Sequence, residues 1–240
     1  MPNPTAAMLV IGDEILSGRT RDSNMHHLAG ELTKIGITLR EVRFVADDRA
    51  DIIAAVQALS AAYDTVFTSG GIGPTHDDIT ADCMAEAFGQ SIDVREDARA
   101  LLAEMYERTG RELNEARLRM ARIPEKAALI DNPVSTAPGF TIENVHVMAG
   151  VPSVFQAMVA SVLPTLTGGA PLLSQSLTIM RGEGDIAGPL GQIAADFPDL
   201  SIGSYPFQRD GVFGAQIVIR GTDGAMVDAA MTRLAGTFPA

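Results

Sequence analysis

Tryptophan is absent from this 240-residue chain, and only 3 Tyr and 9 Phe are present. Ala, Leu, Ile, Val and Met must therefore fill the interior. A single cysteine, Cys83, excludes an internal disulfide and fits a reducing compartment. It falls in a helical pattern and reads as a small buried residue. Basic residues are scarce: 18 Lys and Arg stand against 30 Asp and Glu, a formal charge of −12. A nucleic-acid binder needs a basic face, so that class of partner is not expected. A small anionic ligand remains compatible, because a few backbone amides and local cations suffice to hold one. Long apolar runs are missing too. Met8 to Ile11 is too short for a signal or a membrane span, and no positive residue precedes Arg19. The chain reads as soluble and cytoplasmic, with no membrane partner. It shows no internal repeat and no low-complexity segment.

Several catalytic signatures are also missing. No lysine follows the glycines of Gly70-Gly71-Ile72-Gly73, so ordinary P-loop ATPase chemistry is not expected. A dinucleotide fingerprint needs a third glycine where His76 stands. Gly182-Glu183-Gly184 reads as a turn. There is no His-Glu-x-x-His zinc helix, His26-His27 has no partner cluster, and no Gly-x-Ser-x-Gly elbow supports esterase chemistry.

What is present is an alternation of short apolar runs and helical patterns. Ala6 to Ile11 reads as a buried strand ending at Gly12. Asp22 or Ser23 can cap a helix carrying Leu28, Leu32 and Ile35, closed by Gly36. Ile37 to Val45 is a second strand, Ile52 to Leu59 marks a helix, and Thr65 to Ser69 is a third strand. This order predicts right-handed crossovers and an α/β fold with a mainly parallel sheet covered by helices on both faces. Val94 to Arg122 reads as a charged helical stretch broken at Gly110, with a solvated face and no site chemistry. Asn132 to Phe140 is a turn-rich loop. Val145 to Met148 is another strand, ending in Ala149-Gly150-Val151-Pro152-Ser153 before a helix to about Leu166. Thr167 to Pro171 reads as a linker. The texture then changes to a βαββα pattern: strands at Leu177 to Met180, Leu200 to Tyr205 and Val212 to Arg220, with helices at Ile186 to Phe197 and Ala225 to Phe238. We expect two domains, 1–168 and 172–240, the second a small α+β subdomain.

In parallel sheets ligands sit outside the carboxyl ends of the strands. Gly12, Ala46-Asp47-Asp48 and Gly70-Gly71 all follow strand ends, so they should share one rim. The stretch Thr68 to Thr80 is the most informative. A strand that runs through glycines into a helix offers backbone N–H groups to a phosphate. Bare Asp beside phosphate is repulsive, so Asp77 and Asp78 imply a metal bridge, a hydrogen-bonded base or pterin, or a catalytic role. Thr80 reads as the N-cap of the next helix, which leaves both acids free in the loop. Asp13 and Glu14 either bind ligand N–H groups or a cation at the rim, or are solvated. Asp47-Asp48 either caps the following helix or contacts ligand. Acidic clusters gathered on one rim repel, so a divalent cation, Mg²⁺ or Co²⁺, is expected with a phosphate ligand.

Four motifs in this order resemble a known family. They are Gly12-Asp13-Glu14-Ile15-Leu16-x-Gly18-x-x-x-Asp22-x-Asn24, the loop from Gly70 to Thr80, Asn132-Pro133-x-x-Thr136-Ala137-Pro138-Gly139-Phe140, and Gly150-Val151-Pro152. Together they are similar to the N-terminal domain of competence/damage-inducible protein A (CinA), of the molybdopterin-binding superfamily with MogA and MoaB and a domain of eukaryotic FAD synthases. The resemblance implies a three-layer α/β/α molybdopterin-binding fold over about residues 6–168. It also implies a pterin or nucleotide ligand bearing phosphate. In MogA-like members, acids aligned with Asp47 and Asp78 serve adenylylation or pterin binding, and these two are the expected catalytic residues. CinA-type domains are linked to metal-dependent pyrophosphatase activity on ADP-ribose-like nucleotides, and the FAD synthase relative to FAD hydrolysis. Ligand contacts are expected from Gly12, Asp13, Glu14, Ser69, Gly70, Gly71, Gly73, Pro74, Thr75, Asp77, Thr80, Asn132, Pro138, Gly139, Gly150 and Pro152. Metal contacts are expected from Asp77 and Asp78. Relatives form dimers or trimers, so self-association is implied. Three departures stand out. The C-terminal amidohydrolase domain of full-length CinA does not follow, so nicotinamide-nucleotide deamidation is not expected. The usual Leu-Pro-Gly-Val-Pro loop reads Met148-Ala149-Gly150-Val151-Pro152, and the Arg-Glu that commonly follows it reads Ser153-Val154.

Overall fold

The computed structural model describes residues 3–209 and 211–239. Met1, Pro2, Asp210 and Ala240, which fall inside the expected domain spans, lie outside the described residues. The chain divides into two compact units, Met1–Gly169 and Ala170–Ala240.

In the first unit β1 (Thr5–Ile11) leads through a one-turn helix α1 (Asp13–Leu16) to α2 (Asn24–Lys34) and β2 (Thr38–Val45). Helix α3 (Arg49–Ala62), β3 (Thr65–Ser69) and α4 (Thr80–Ala87) follow. Next come β4 (Ile92–Val94), α5 (Glu96–Arg108), α6 (Glu115–Leu118), β5 (Arg122–Pro124), β6 (Ala128–Ile130), β7 (Gly139–Ile142), β8 (Val145–Met148) and α7 (Pro152–Val162). The main sheet has six strands in the order β2-β1-β3-β8-β7-β6. β2, β1, β3 and β8 run parallel; β7 and β6 are antiparallel additions at one edge.

Strand alternation makes the three layers. Ala7, Leu9 and Ile11 of β1 point to one face and pack with Ile52, Val56 and Leu59 of α3 and Met84 of α4. Ala6, Met8 and Val10 point to the other and pack with Leu28 and Leu32 of α2 and Phe155, Met158 and Val159 of α7. Because both faces are covered, β1 reads as an unbroken apolar run from Ala6 to Ile11 rather than an alternating one, and β3 is buried along its whole length. Each fully buried Leu or Phe of these layers contributes about 1.5–3 kcal/mol. Cys83 belongs to the first layer, is fully buried, and has its thiol pushed up to about 11 by that burial.

The sequence reading needs correction between residues 92 and 142. Helices α5 and α6 occupy part of Val94 to Arg122, and Gly110 separates them with a φ of 64°. However, β4 and β5 pair as a small antiparallel ribbon. The turn-rich loop ends at Gly139, where β7 begins. The missed strands are only three or four residues long, too short to show a period of their own.

The second unit consists of β9 (Leu173–Ile179), α8 (Glu183–Asp196), β10 (Ser201–Arg209), β11 (Val212–Gly221) and α9 (Gly224–Thr237). Its sheet is antiparallel, ordered β10-β11-β9. Ile186 and Ile193 of α8 and Val227, Ala230 and Leu234 of α9 cover Ala215, Ile217 and Ile219 of β11. Gly182-Glu183-Gly184 is not a free-standing turn: Gly182 is the N-cap of α8, and the other two residues open the helix. Among the described residues no helix is long and apolar enough to cross a membrane.

Candidate functional site: a glycine and carboxylate cavity at the strand ends

Register brings the carboxyl ends of four strands level. Ile11 lies opposite Val45, Val10 opposite Ser69, and Ser69 opposite Met148. The chain then turns at each strand end, and backbone hydrogen bonds tie the turns together: Gly12 N–H to Val45 C=O at 3.1 Å and Gly70 N–H to Met148 C=O at 3.1 Å. The rim forms where the order of strands reverses around β1, the place at which doubly wound sheets open a crevice.

Two glycines are required by this crowding. Gly70 and Gly71 have φ of 109° and 70°. A Cβ on Gly70 would run into the Ile11 carbonyl, and one on Gly71 into the Thr80 hydroxyl. Only glycine lets the loop pass this close to β1 and turn back over α4.

The paired acids separate into different roles. Asp48 caps α3, accepting from the Ala50 and Asp51 amides at 2.9 and 3.1 Å. Asp47 is left facing the rim, half-buried, with its Oδ2 accepting the Asp13 amide at 3.0 Å. Burial pushes the Asp47 carboxyl above its ordinary value, against the pull of that amide, and the charges of Asp13, Glu14 and Asp77 push it further.

The reading of Thr80 as a helix cap, with Asp77 and Asp78 left free, does not hold. Ile79 is the N-cap of α4, without a side-chain bond. Thr80 is fully buried at the first helical position and donates its hydroxyl to the Gly70 carbonyl at 3.0 Å. Asp78 is not free either: its Oδ2 accepts the Thr75 amide at 2.8 Å and the Thr75 hydroxyl at 2.5 Å. It closes the glycine loop on itself.

The rim encloses a cavity of about 540 Å³. Of the residues expected at the site, Gly12, Glu14, Asp47, Gly70, Gly71, Gly73, Pro74, Asp77, Asp78, Asn132, Pro138, Gly150 and Pro152 line it. Asp13, Ser69, Thr75, Thr80 and Gly139 are not in its lining; Asp13 and Thr75 are exposed, while Ser69, Thr80 and Gly139 are buried. Asp13 and Thr75 brace Asp47 and Asp78 as described, and Ser69 accepts a hydrogen bond from Asn24 at 2.8 Å. Gly139 is packed against the Val147 backbone. Asn132 reaches the lining, but its side chain folds its own loop: it donates to Ser135 Oγ and the Ala137 carbonyl and accepts from the Val134 and Ser135 amides. The same loop holds Thr136 at a φ of 62°.

Sequence reasoning missed Met120 in the wall and Arg119 beside it. Arg119 enters a small crevice next to Asp78, and its guanidinium lies 3.4 Å from the Asp78 carbonyl. The stretch read as a solvated face thus brings a cation near the glycine loop, whereas the main cavity has no Lys or Arg in its lining. No signal in the local sequence marks this, because it depends on how the segment after α6 packs back over α4.

Among the described residues no three His, Cys, Asp or Glu side chains converge to hold a metal ion by themselves. Mg²⁺ commonly takes one or two carboxylates and fills its shell with phosphate oxygens and water. Asp77 and Asp78 in one wall, with mutually repelling acids around Asp47, suit an ion of that phosphate-completed kind and not a protein-only centre.

Comparison with known proteins bears on the family and the fold that carry this cavity. Residues 7–168 match a family model described as a probable molybdopterin binding domain, and residues 171–240 one described as the FAD synthase middle domain. A probable FAD synthase of Caenorhabditis elegans is 34% identical over 96% of this chain and 49% of its own length. A CinA-like protein of Geobacter metallireducens is 34% identical over 82% of this chain and 50% of its own length. The chain thus spans about half of each of these two relatives, against 84% of a Pyrococcus furiosus protein of the same identity level. Among solved structures, the CinA protein from Thermoplasma acidophilum superposes with a TM-score of 0.62 at 34% identity, over 67% of this chain and 98% of that one. The parallel sheet with its glycine rim and the family match over two thirds of the chain lead to one assignment: this protein belongs to the CinA-like molybdopterin-binding superfamily.

Proposed function

We propose that the cavity binds the phosphate-bearing part of a nucleotide or pterin, with a nucleoside diphosphate group as the best fit. The observation that carries this reading is the Gly70–Gly73 turn, which opens onto a cavity of about 540 Å³ at a topological switch point. That volume is in the range of small-molecule sites. Backbone amides on a glycine turn recognise phosphate without a basic side chain, and Arg119 supports the same loop from behind. The matched FAD synthase middle domain, and the names of the two nematode relatives, favour an adenine-containing ligand over a free pterin.

A second reading, hydrolysis of the pyrophosphate, is favoured by Asp47. A half-buried carboxyl with a raised pKa is suited to taking a proton from a water at the rim. Asp77 and Asp78 would hold a Mg²⁺ or Co²⁺ ion together with ligand phosphate oxygens. Such an ion, when bound, polarises the phosphoryl oxygen.

Calorimetric titration with ADP, ADP-ribose, FAD and a molybdopterin-type ligand, with and without Mg²⁺ or Co²⁺, separates the readings. Binding without turnover supports the first reading. Product formation abolished by Asp78→Asn supports the second, since loss of a group that acts on the reacting atoms costs orders of magnitude in rate. If Asp78→Asn leaves both binding and turnover unchanged, the site is misassigned.

A further inference from the structure

Arg119 stands in a short 3₁₀ turn, Arg119–Ala121, that leads into β5. A guanidinium carries five N–H donors, and inside a protein such donors are rarely left without partners. Among the described residues this one makes a single hydrogen bond, the 3.4 Å contact to the Asp78 carbonyl, beyond the usual range for N–H to oxygen. Its Nε is buried and unpartnered, and no carboxylate among the described residues pairs with it. The arginines beside it are committed. Arg122 pairs with Asp82 at 2.5 Å, and Arg117 lies over the Tyr106 ring at 4.7 Å. Arg119 is thus a half-buried full charge with donors to spare.

The crevice around it shares Gly71, Ile72, Gly73, Asp78, Met120 and Pro138 with the main cavity. The glycine turn is the partition between the two, and at Gly71 and Gly73 that partition has no side chain. On the other side, the cavity lining holds four acids, Glu14, Asp47, Asp77 and Asp78, and no Lys or Arg. Among the described residues Arg119 is therefore the one unpaired cation bordering the turn. The crevice itself, at about 10 Å³, admits no more than a water, so a phosphate oxygen does not enter it. Contact requires the guanidinium to come out. Giving up one 3.4 Å bond costs little against charge-assisted bonds to a phosphate.

On the reading that the main cavity holds phosphate, we infer that Arg119 is a specificity-determining residue of that site. Its side chain turns out of the crevice past Met120, exchanges the Asp78 carbonyl for ligand phosphate oxygens, and selects ligands by their charge. Backbone amides carry only partial charges and hold one phosphate with little regard to what is attached to it. A full positive charge attracts in proportion to the charge of the ligand. Arg119 therefore favours a diphosphate over a monophosphate, in a pocket whose four acids otherwise work against the more highly charged ligand.

The test titrates ADP and AMP, which differ by one phosphate, into the unmodified protein, Arg119→Gln and Arg119→Lys, at one fixed Mg²⁺ concentration and low salt. Calorimetry should show ADP bound more tightly than AMP by the unmodified protein. Arg119→Gln should weaken ADP about tenfold to a hundredfold and AMP by less than about threefold. Arg119→Lys keeps the charge, loses the planar fork, and should fall between. The ¹⁵Nε–¹Hε signal of Arg119, assigned by its loss in Arg119→Lys, should shift in the unmodified protein when ADP is added. That readout does not depend on any variant folding. Equal losses for the two nucleotides would show that Arg119 only holds the glycine loop in place. An unmoved signal would show that the guanidinium never meets the ligand. Either result overturns this inference and leaves the phosphate reading standing. Failure of both nucleotides to bind the unmodified protein would remove the phosphate reading and this inference with it.

Discussion

The Asp13 amide donates to Asp47 Oδ2 at 3.0 Å, so the loop after the first strand holds the acid that follows the second. That bond stabilises the ionised carboxyl, but it loses to burial and to the nearby charges of Asp13, Glu14 and Asp77, which leave Asp47 with a raised pKa. The protein keeps a carboxyl there at a cost in stability, a common feature of functional sites.

The consequence for stability has a definite sign. A carboxyl whose folded pKa lies above its unfolded value of 3.8 holds its proton more tightly in the native state. Stability from this group is therefore present below the ordinary carboxylate pKa and is lost as pH rises through the folded value. Asn in its place keeps the acceptor for Asp13 and removes the charge. Asp47→Asn should raise the Tm of the first unit at pH 7, with the gain disappearing near pH 3, below that unfolded value. Thermal melts across that range check it. A variant less stable than the parent at pH 7 would show that the Asp13 bond outweighs burial and repulsion.

Asp78 behaves differently because its oxygen closes the loop on Thr75. Asp78→Asn preserves an acceptor and should change stability by less than about 0.5 kcal/mol, while weakening any metal-dependent step. Asp78→Ala removes the acceptor, as in the loss of a helix cap, and should cost about 1–2 kcal/mol. Urea midpoints for the two variants separate the loop-closing role from the chemical one. Equal losses would place the effect in charge alone.

Much of this arrangement could be read from the sequence, and the reason is physical. β1 carries a dense apolar run, β3 and β8 carry short apolar stretches, and the turns at Gly12, Gly70 and Gly150 follow within two residues of the strand ends, so strand ends and candidate loops are marked by neighbouring residues. A parallel sheet then aligns those ends without further information. What escaped was non-local. Whether Asp47 or Asp48 faces the rim depends on which one the helix takes as its cap. Thr80 reads as a cap by residue type, but the approach of Gly70 draws its hydroxyl inward. Arg119 and Met120 join the site only because the segment after α6 packs back over α4, and no periodicity in that segment records it.

His146 gives a second pH signature away from the cavity. It sits in β8, 7% exposed, with Nδ1 2.9 Å from the Thr141 hydroxyl and its ring 5.1 Å from that of Phe67. Burial lowers its pKa from 6.5 to about 4. Protonation then favours the unfolded chain, so stability is lost as pH falls from about 6.5 toward about 4, by roughly 3 kcal/mol across the window. Urea unfolding of the parent should show this slope, and His146→Gln should flatten it. An unchanged slope would assign the acid sensitivity to carboxylates instead.

The closest packing at the rim supplies the sharpest test. Gly71 holds a φ of 70°, and a Cβ there would meet the Thr80 hydroxyl and lie 3.1 Å from Thr80 Cβ. Gly71→Ala should therefore lose about 2–4 kcal/mol, partly from the left-handed backbone and partly from that collision. Thr80→Ala alone leaves the Gly70 carbonyl without its 3.0 Å partner, a cost of about 1–3 kcal/mol for a buried group. The collision requires both side chains, so the double variant should lose less than the two singles combined, with a coupling of about 0.5–3 kcal/mol. The left-handed cost remains in the double variant, so full recovery is not expected. Because Gly71 is in the cavity lining and Thr80 is not, ligand affinity should follow Gly71→Ala in both backgrounds while stability follows the pair. Strict additivity in urea unfolding would show that the loop relaxes away from Thr80, and that glycine at this position serves backbone conformation alone.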